Sequence, residues 1–205
     1  MKKEFKIIFL GLLLTLFFGC SSRNNNIDNN GAVTDSTVNM SDNTNQENLA
    51  NQKTLKNQIN IFLNWYKTKF DTLSTIMLVS IPDTDVGIYS VNFSNTEEYL
   101  KVFIKSKLFT QNFIEDKRKY FNTCNDKMLK DKQNQGPPIG LEHDIILLTQ
   151  EIDETLNNIG NASFSNYKEK DNKASVDVTI LYKIRIYLIN EDRKWLIDKI
   201  EIAPR

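Results

Sequence analysis

Histidine is almost missing from this 205-residue chain. His143 stands alone, which leaves little room for a histidine-based metal cluster. Cysteine occurs twice, at Cys20 and Cys124, too few for a disulfide scaffold. Glycine occurs seven times and forms neither a phosphate-cradling loop nor a nucleophile elbow. An excess of either charge is missing too: 26 basic side chains face 26 acidic ones, which argues against a general nucleic-acid binder. The 40% hydrophobic share argues against wholesale disorder, and the length fits one domain with appendages.

The hydrophobic residues divide the chain into three segments, with 12 in residues 1–19, 8 in residues 20–53 and 62 in residues 54–205. Lys2, Lys3 and Lys6 precede an apolar run from Ile7 to Phe18, broken only by Gly11 and Thr15. As a helix that run spans roughly 18 Å, short of the roughly 30 Å hydrocarbon core. It reads as a signal peptide over residues 1–19. Phe17-Phe18-Gly19-Cys20 resembles the lipobox of bacterial lipoproteins, with Phe17 where Leu is usual. That resemblance implies cleavage between Gly19 and Cys20, acylation of Cys20, and an effectively permanent membrane anchor. Ser21 follows the cysteine, and no acidic residue comes between Cys20 and Asp28. By resemblance to known sorting rules, this implies an outer-membrane location facing the periplasm. Lipidation of Cys20 would leave Cys124 without a partner, a buried and inert thiol on an apolar helix face.

Residues 21–53 contain ten asparagines and seven hydrophobic residues. This composition cannot bury enough apolar surface to offset chain entropy, so residues 20–53 read as a lipidated cysteine followed by a flexible tether.

Residues 54–205 can build one core. Leu55, Ile59, Phe62, Tyr66 and Phe70 form a helical stripe, widened by Ile61 and Trp65. Ile76–Ile81 and Val86–Phe93 flank Pro82-Asp83-Thr84-Asp85 as a hairpin would. Ser94-Asn95-Thr96-Glu97 matches a capping box opening a helix to about Lys107. Thr110 caps the next helix, whose stripe is Phe113, Lys117, Tyr120, Phe121, Cys124 and Met128; Gln133–Gly140 ends the helical pattern. From Val176 to Ile189 apolar and polar residues alternate with period two, which reads as one strand of fourteen residues. A strand near Ala162–Tyr167 precedes it, and Asn190–Lys194 turns into another at Trp195–Ile202. The expected architecture is α+β: N-terminal helices packed on the even face of a curved antiparallel sheet.

Phe62-Leu63-Asn64-Trp65-Tyr66, Asp144–Gln150 and Lys194–Ile200 together resemble a group of bacterial envelope lipoproteins, similar to the cystatin-like, nuclear transport factor 2-like superfamily. The resemblance implies a cone whose mouth binds a ligand, hosts catalysis or pairs with a partner. Fold alone does not choose among these.

Glu142-His143-Asp144 gathers residue types suited to metal or acid–base chemistry, but sequence neighbours point different ways and no second ligand group follows. The residues read as a polar loop leading into Ile145–Leu148, with no catalytic residue, no metal and no cofactor assigned. The resemblance makes His143, Asp144 and Gln150 the candidates for a site at the cone mouth. Trp65 and Trp195 sit in apolar patterns and read as core. Lys183 and Arg185 read as a solvated sheet face, with an acidic partner as the alternative.

The expectation is a lipoprotein held to the membrane through Cys20, whose domain is a non-catalytic binding or interaction module for a protein or small-ligand partner, with no nucleic acid involved. A narrower form is an immunity protein against a toxin arriving in the periplasm, which requires a toxin gene beside this one. The alternative is a cone-cavity enzyme of isomerase or dehydratase type, which needs an ionisable group of shifted pKa in an apolar pocket.

Overall fold

Leu55, Ile59, Phe62 and Tyr66 follow at spacings of four, three and four, and each is at most 1% exposed. That stripe is where the first helix meets the core. The computed structural model describes residues 40–82 and 87–204. The signal peptide, the Gly19–Cys20 cleavage site, residues 20–39 of the tether and Asp83–Asp85 of the expected turn lie outside the described residues.

Helix α1 runs Met40–Ser74, so residues 40–53 of the segment read as a tether are helical. Composition misses this because little of it is buried where the side chains are described: Asn48, Leu49 and Ala50 are exposed, and packing starts in earnest at Leu55. Leu63 and Leu73, rather than Ile61, widen the buried stripe; Ile61 is exposed.

Two short strands, β1 (Val79–Ser80) and β2 (Ser90–Val91), pair antiparallel as the flanking apolar runs suggested. Helix α2 spans Phe93–Ser106 and is capped by Asn92, whose Oδ1 accepts the Asn95 amide at 3.1 Å. The expected capping box at Ser94 is therefore displaced by two residues. Glu97 is not free to close it, because it forms a two-pronged pair with Arg118 at 2.7 and 2.9 Å. Helix α3 spans Gln111–Lys130, with Thr110 Oγ1 accepting the Phe113 amide as expected. Phe113, Phe121, Cys124 and Met128 of its stripe are buried.

The chain leaves α3 through Gly136 and Gly140, both at positive φ. At Gly140 a Cβ would stand 2.5 Å from Cys124 Sγ, so glycine serves both the turn and the close approach. Cys124 is buried beneath this crossing, and burial pushes its thiol pKa up.

After the short helix α4 (Ile152–Asn157) come β3 (Ser163–Lys170), β4 (Lys173–Thr179), β5 (Lys183–Glu191) and β6 (Lys194–Ile202). They form an antiparallel meander in chain order. The expected fourteen-residue strand is in fact two strands, β4 and β5, folded back at Ile180-Leu181-Tyr182. Thr179 pairs with Lys183 across a three-residue loop, so Val178 faces Ile184 and Val176 faces Ile186. An odd loop keeps even residues opposite even ones, and the period-two pattern runs through the turn unbroken. Ile-Leu-Tyr carries none of the usual turn residues, which hides the reversal further.

The even face of β4 and β5 is buried beneath the helices, with Val176, Val178, Ile184, Ile186 and Leu188 at most 1% exposed. In β6 the register shifts between Tyr187 and Leu188, leaving Asp198 as the extra residue of a bulge. The buried positions accordingly switch from Trp195 and Ile197 to Ile200. Asp198 Oδ1 accepts from Thr110 Oγ1 at 2.7 Å, tying the bulge to the cap of α3. The open side of β6 is covered at Ile197, which exchanges backbone hydrogen bonds with Leu108 and Thr110.

Phe62, Trp65, Tyr66, Phe103, Phe109 and Phe113 fill the space where the helices and β6 converge, with neighbouring ring centroids 4.6–6.3 Å apart. Trp195 is 8% exposed, and both tryptophans are packing residues.

Candidate functional site

The segment from Leu141 to Glu151 has no regular structure, yet Ile145, Ile146 and Leu147 are buried. Buried loop backbone needs hydrogen-bond partners from elsewhere. Side chains of α3 and of the β4–β5 turn supply them. Lys117 Nζ of α3 donates to the Ile145 carbonyl at 2.6 Å, and Tyr182 from the β4–β5 turn donates to the Leu147 carbonyl. Tyr120 of α3 donates to the Gly140 carbonyl at 2.6 Å, just before the segment.

Asp144 organises the same loop from within. Its Oδ1 accepts the Ile146 and Leu147 amides at 3.1 and 2.5 Å, while its own N–H donates to the Thr149 carbonyl at 2.8 Å. Its Oδ2 accepts the Tyr66 hydroxyl of α1. The phenol of Tyr99 on α2, itself buried, interacts with Tyr66 in turn. Burial raises the Asp144 pKa above the ordinary carboxylate range, against the opposing pull of Tyr66, the two amides and Lys117. Burial also pushes both phenols well up, so Tyr66 and Tyr99 stay protonated donors. The same cause lowers Lys117 to about 8.

Beside Asp144 lies a cleft of about 300 Å³. Phe70, Leu73, Ile76 and Leu78 form one apolar wall, and Leu141, Ile145 and Ile152 form the other. Tyr66, Tyr99, His143 and Asp144 supply its polar surface, with Ser74 at the rim. A larger groove of about 680 Å³ runs between residues 48–55 of α1 and residues 167–169 of β3, but it converges on no buried titratable group. The 300 Å³ cleft is the candidate site.

Of the residues expected at the site, Asp144 and His143 line the cleft. Gln150 does not: it is exposed and stands off the lining. Glu142 also points to solvent, with Oε2 3.8 Å from His143 Nδ1. Tyr66, Tyr99 and Lys117 were missed. Tyr66 reads as one more member of the α1 stripe, although Lys117, a charge on the apolar stripe of α3, was a visible anomaly. Arg185 on the outer sheet face is committed to its cross-strand neighbour Asp177, at 2.6 and 3.1 Å. That pairing disfavours the acidic-partner reading for Arg185.

Among the described residues no group of three or more His, Cys, Asp or Glu could hold a metal ion, and no helix is long and apolar enough to cross a membrane. No protein-family model matches the chain, and no curated protein or solved structure is significantly similar to it.

Proposed function

We propose that the chain is an envelope lipoprotein, anchored through Cys20, whose α+β domain is a non-catalytic module that holds a small ligand in the cleft beside Asp144. The domain belongs, on this reading, with the cystatin-like, nuclear transport factor 2-like cones. The order of a long first helix, further helices and a four-stranded antiparallel meander favours that kinship. The observation that carries the binding reading is an apolar cleft with a few convergent polar groups, the usual character of a small-molecule site.

The cone-cavity enzyme keeps one observation in its favour: Asp144 is an ionisable group of raised pKa in an apolar setting. Two features count against that use. Both carboxylate oxygens already hold donors of the fold, and aromatic side chains fill the space where helices and sheet converge.

Native mass spectrometry of the full-length protein, extracted from envelopes in detergent, tests the binding reading. A small molecule is expected to accompany the wild type and to be lost from Ser74→Trp, which fills the cleft from its exposed rim. Equal recovery from both proteins, or recovery from neither, counts against the module.

A further inference from the structure

We propose that the ligand of this cleft is an organic ammonium with a compact apolar body. The inference rests on the binding-module reading and names the chemistry of its ligand.

The argument starts from the acceptor capacity of Asp144. A carboxylate offers about four lone-pair positions. Two on Oδ1 are taken by the Ile146 and Leu147 amides, and one on Oδ2 is taken by Tyr66. One position on Oδ2 is left, on a residue that lines the cleft. All three of these partners are neutral donors, so they orient the carboxylate and leave its charge in place. Lys117 feels that charge from a distance, but its Nζ donates to the Ile145 carbonyl and the side chain does not line the cleft. A half-buried carboxylate with a spare acceptor position beside an apolar cleft favours a partner that brings both a positive charge and an N–H.

The walls select the rest of the ligand. Leu73, Ile76, Leu141 and Ile152 favour an apolar body, and the aromatic side chains of Tyr66 and Phe70 stand in the same lining. An anion would meet Asp144 with like charge. A neutral alcohol could use the spare acceptor but would bring no positive charge to it.

The test uses the full-length lipoprotein in a non-ionic detergent, titrated calorimetrically with three probes of one shape: phenethylammonium, 2-phenylethanol and phenylacetate. Phenethylammonium is expected to bind about tenfold or more tighter than either of the others. Asp144→Asn should bring its affinity down to that of the alcohol, and Ser74→Trp, which leaves the Asp144 loop intact, should abolish binding. Alcohol or acid binding as tightly as the ammonium overturns the ammonium assignment and leaves the binding module standing. Absence of binding by all three probes, or unaltered binding to Ser74→Trp, overturns both.

Discussion

Lys117 shows how a single residue carries tertiary information. It falls on the α3 stripe with Phe113 and Tyr120, and its ammonium lies 5.3 and 5.9 Å from the centroids of their rings. Its side chain crosses apolar surface to reach a carbonyl that no backbone amide satisfies. The cost of that burial is a pKa lowered from 10.5 to about 8. Between those values the unfolded chain keeps a proton that the folded chain has lost, so this group makes stability rise with pH. The expected outcome is that the stability difference between wild type and Lys117→Met grows in favour of wild type from below about 8 to above about 10.5, measured by urea unfolding. A difference that stays flat across the window would show that Lys117 titrates as an exposed lysine. At the other end of the loop, Asp144 reaches Tyr66 across a sequence separation of 78 residues. No local pattern announces such a contact.

At the scale of elements, periodicity located most of the helices and strands, and local chemistry placed some of their ends. Thr110 shows a cap that is legible from sequence, because a lone threonine precedes the stripe of α3 and has no rival. Asn92 shows one that is not. Ser94 with Glu97 offers a better-looking capping motif two residues on, but Glu97 is drawn to Arg118 on the neighbouring helix. Asn92→Ala is therefore expected to cost about 1 kcal/mol in urea unfolding, while Ser94→Ala stays within about 0.5 kcal/mol of wild type. The reverse order would restore Ser94 as the cap. The β4–β5 turn is the larger miss. Its length decides the outcome: an even loop would have broken the alternation and revealed itself, whereas three residues keep the parity.

For the whole molecule, the proposed anchor and the domain divide the work. The apolar run before Cys20 is too short to span a bilayer as a helix, and the cysteine offers the thiol that an acyl anchor requires. Cys20→Ala is expected to leave an unlipidated precursor of higher mass, seen by radiolabelled palmitate incorporation and gel mobility. A variant that still partitions with membranes at the mature size would sink the lipoprotein reading. The domain is organised around one aromatic core, and the cleft shares part of its lining with that core, through Tyr66, Leu73, Tyr99 and Ile145. Tyr66 joins the two directly, with its ring among the aromatics and its hydroxyl on Asp144.

Residue order alone determined the α+β class, the helical stripes, the buried even face of the sheet and the lipobox-like stretch at Cys20. Each of these is encoded locally, in a period of 3.6 or two or in a run of adjacent residues. Tertiary structure decided that the fourteen-residue alternation is a hairpin, that His143 and Asp144 rather than Gln150 line the cleft, that Tyr66 and Tyr99 join them there, and that Lys117 holds the adjoining loop. Those outcomes depend on contacts between segments far apart in the chain. A buried irregular loop has to find its donors wherever the fold brings them.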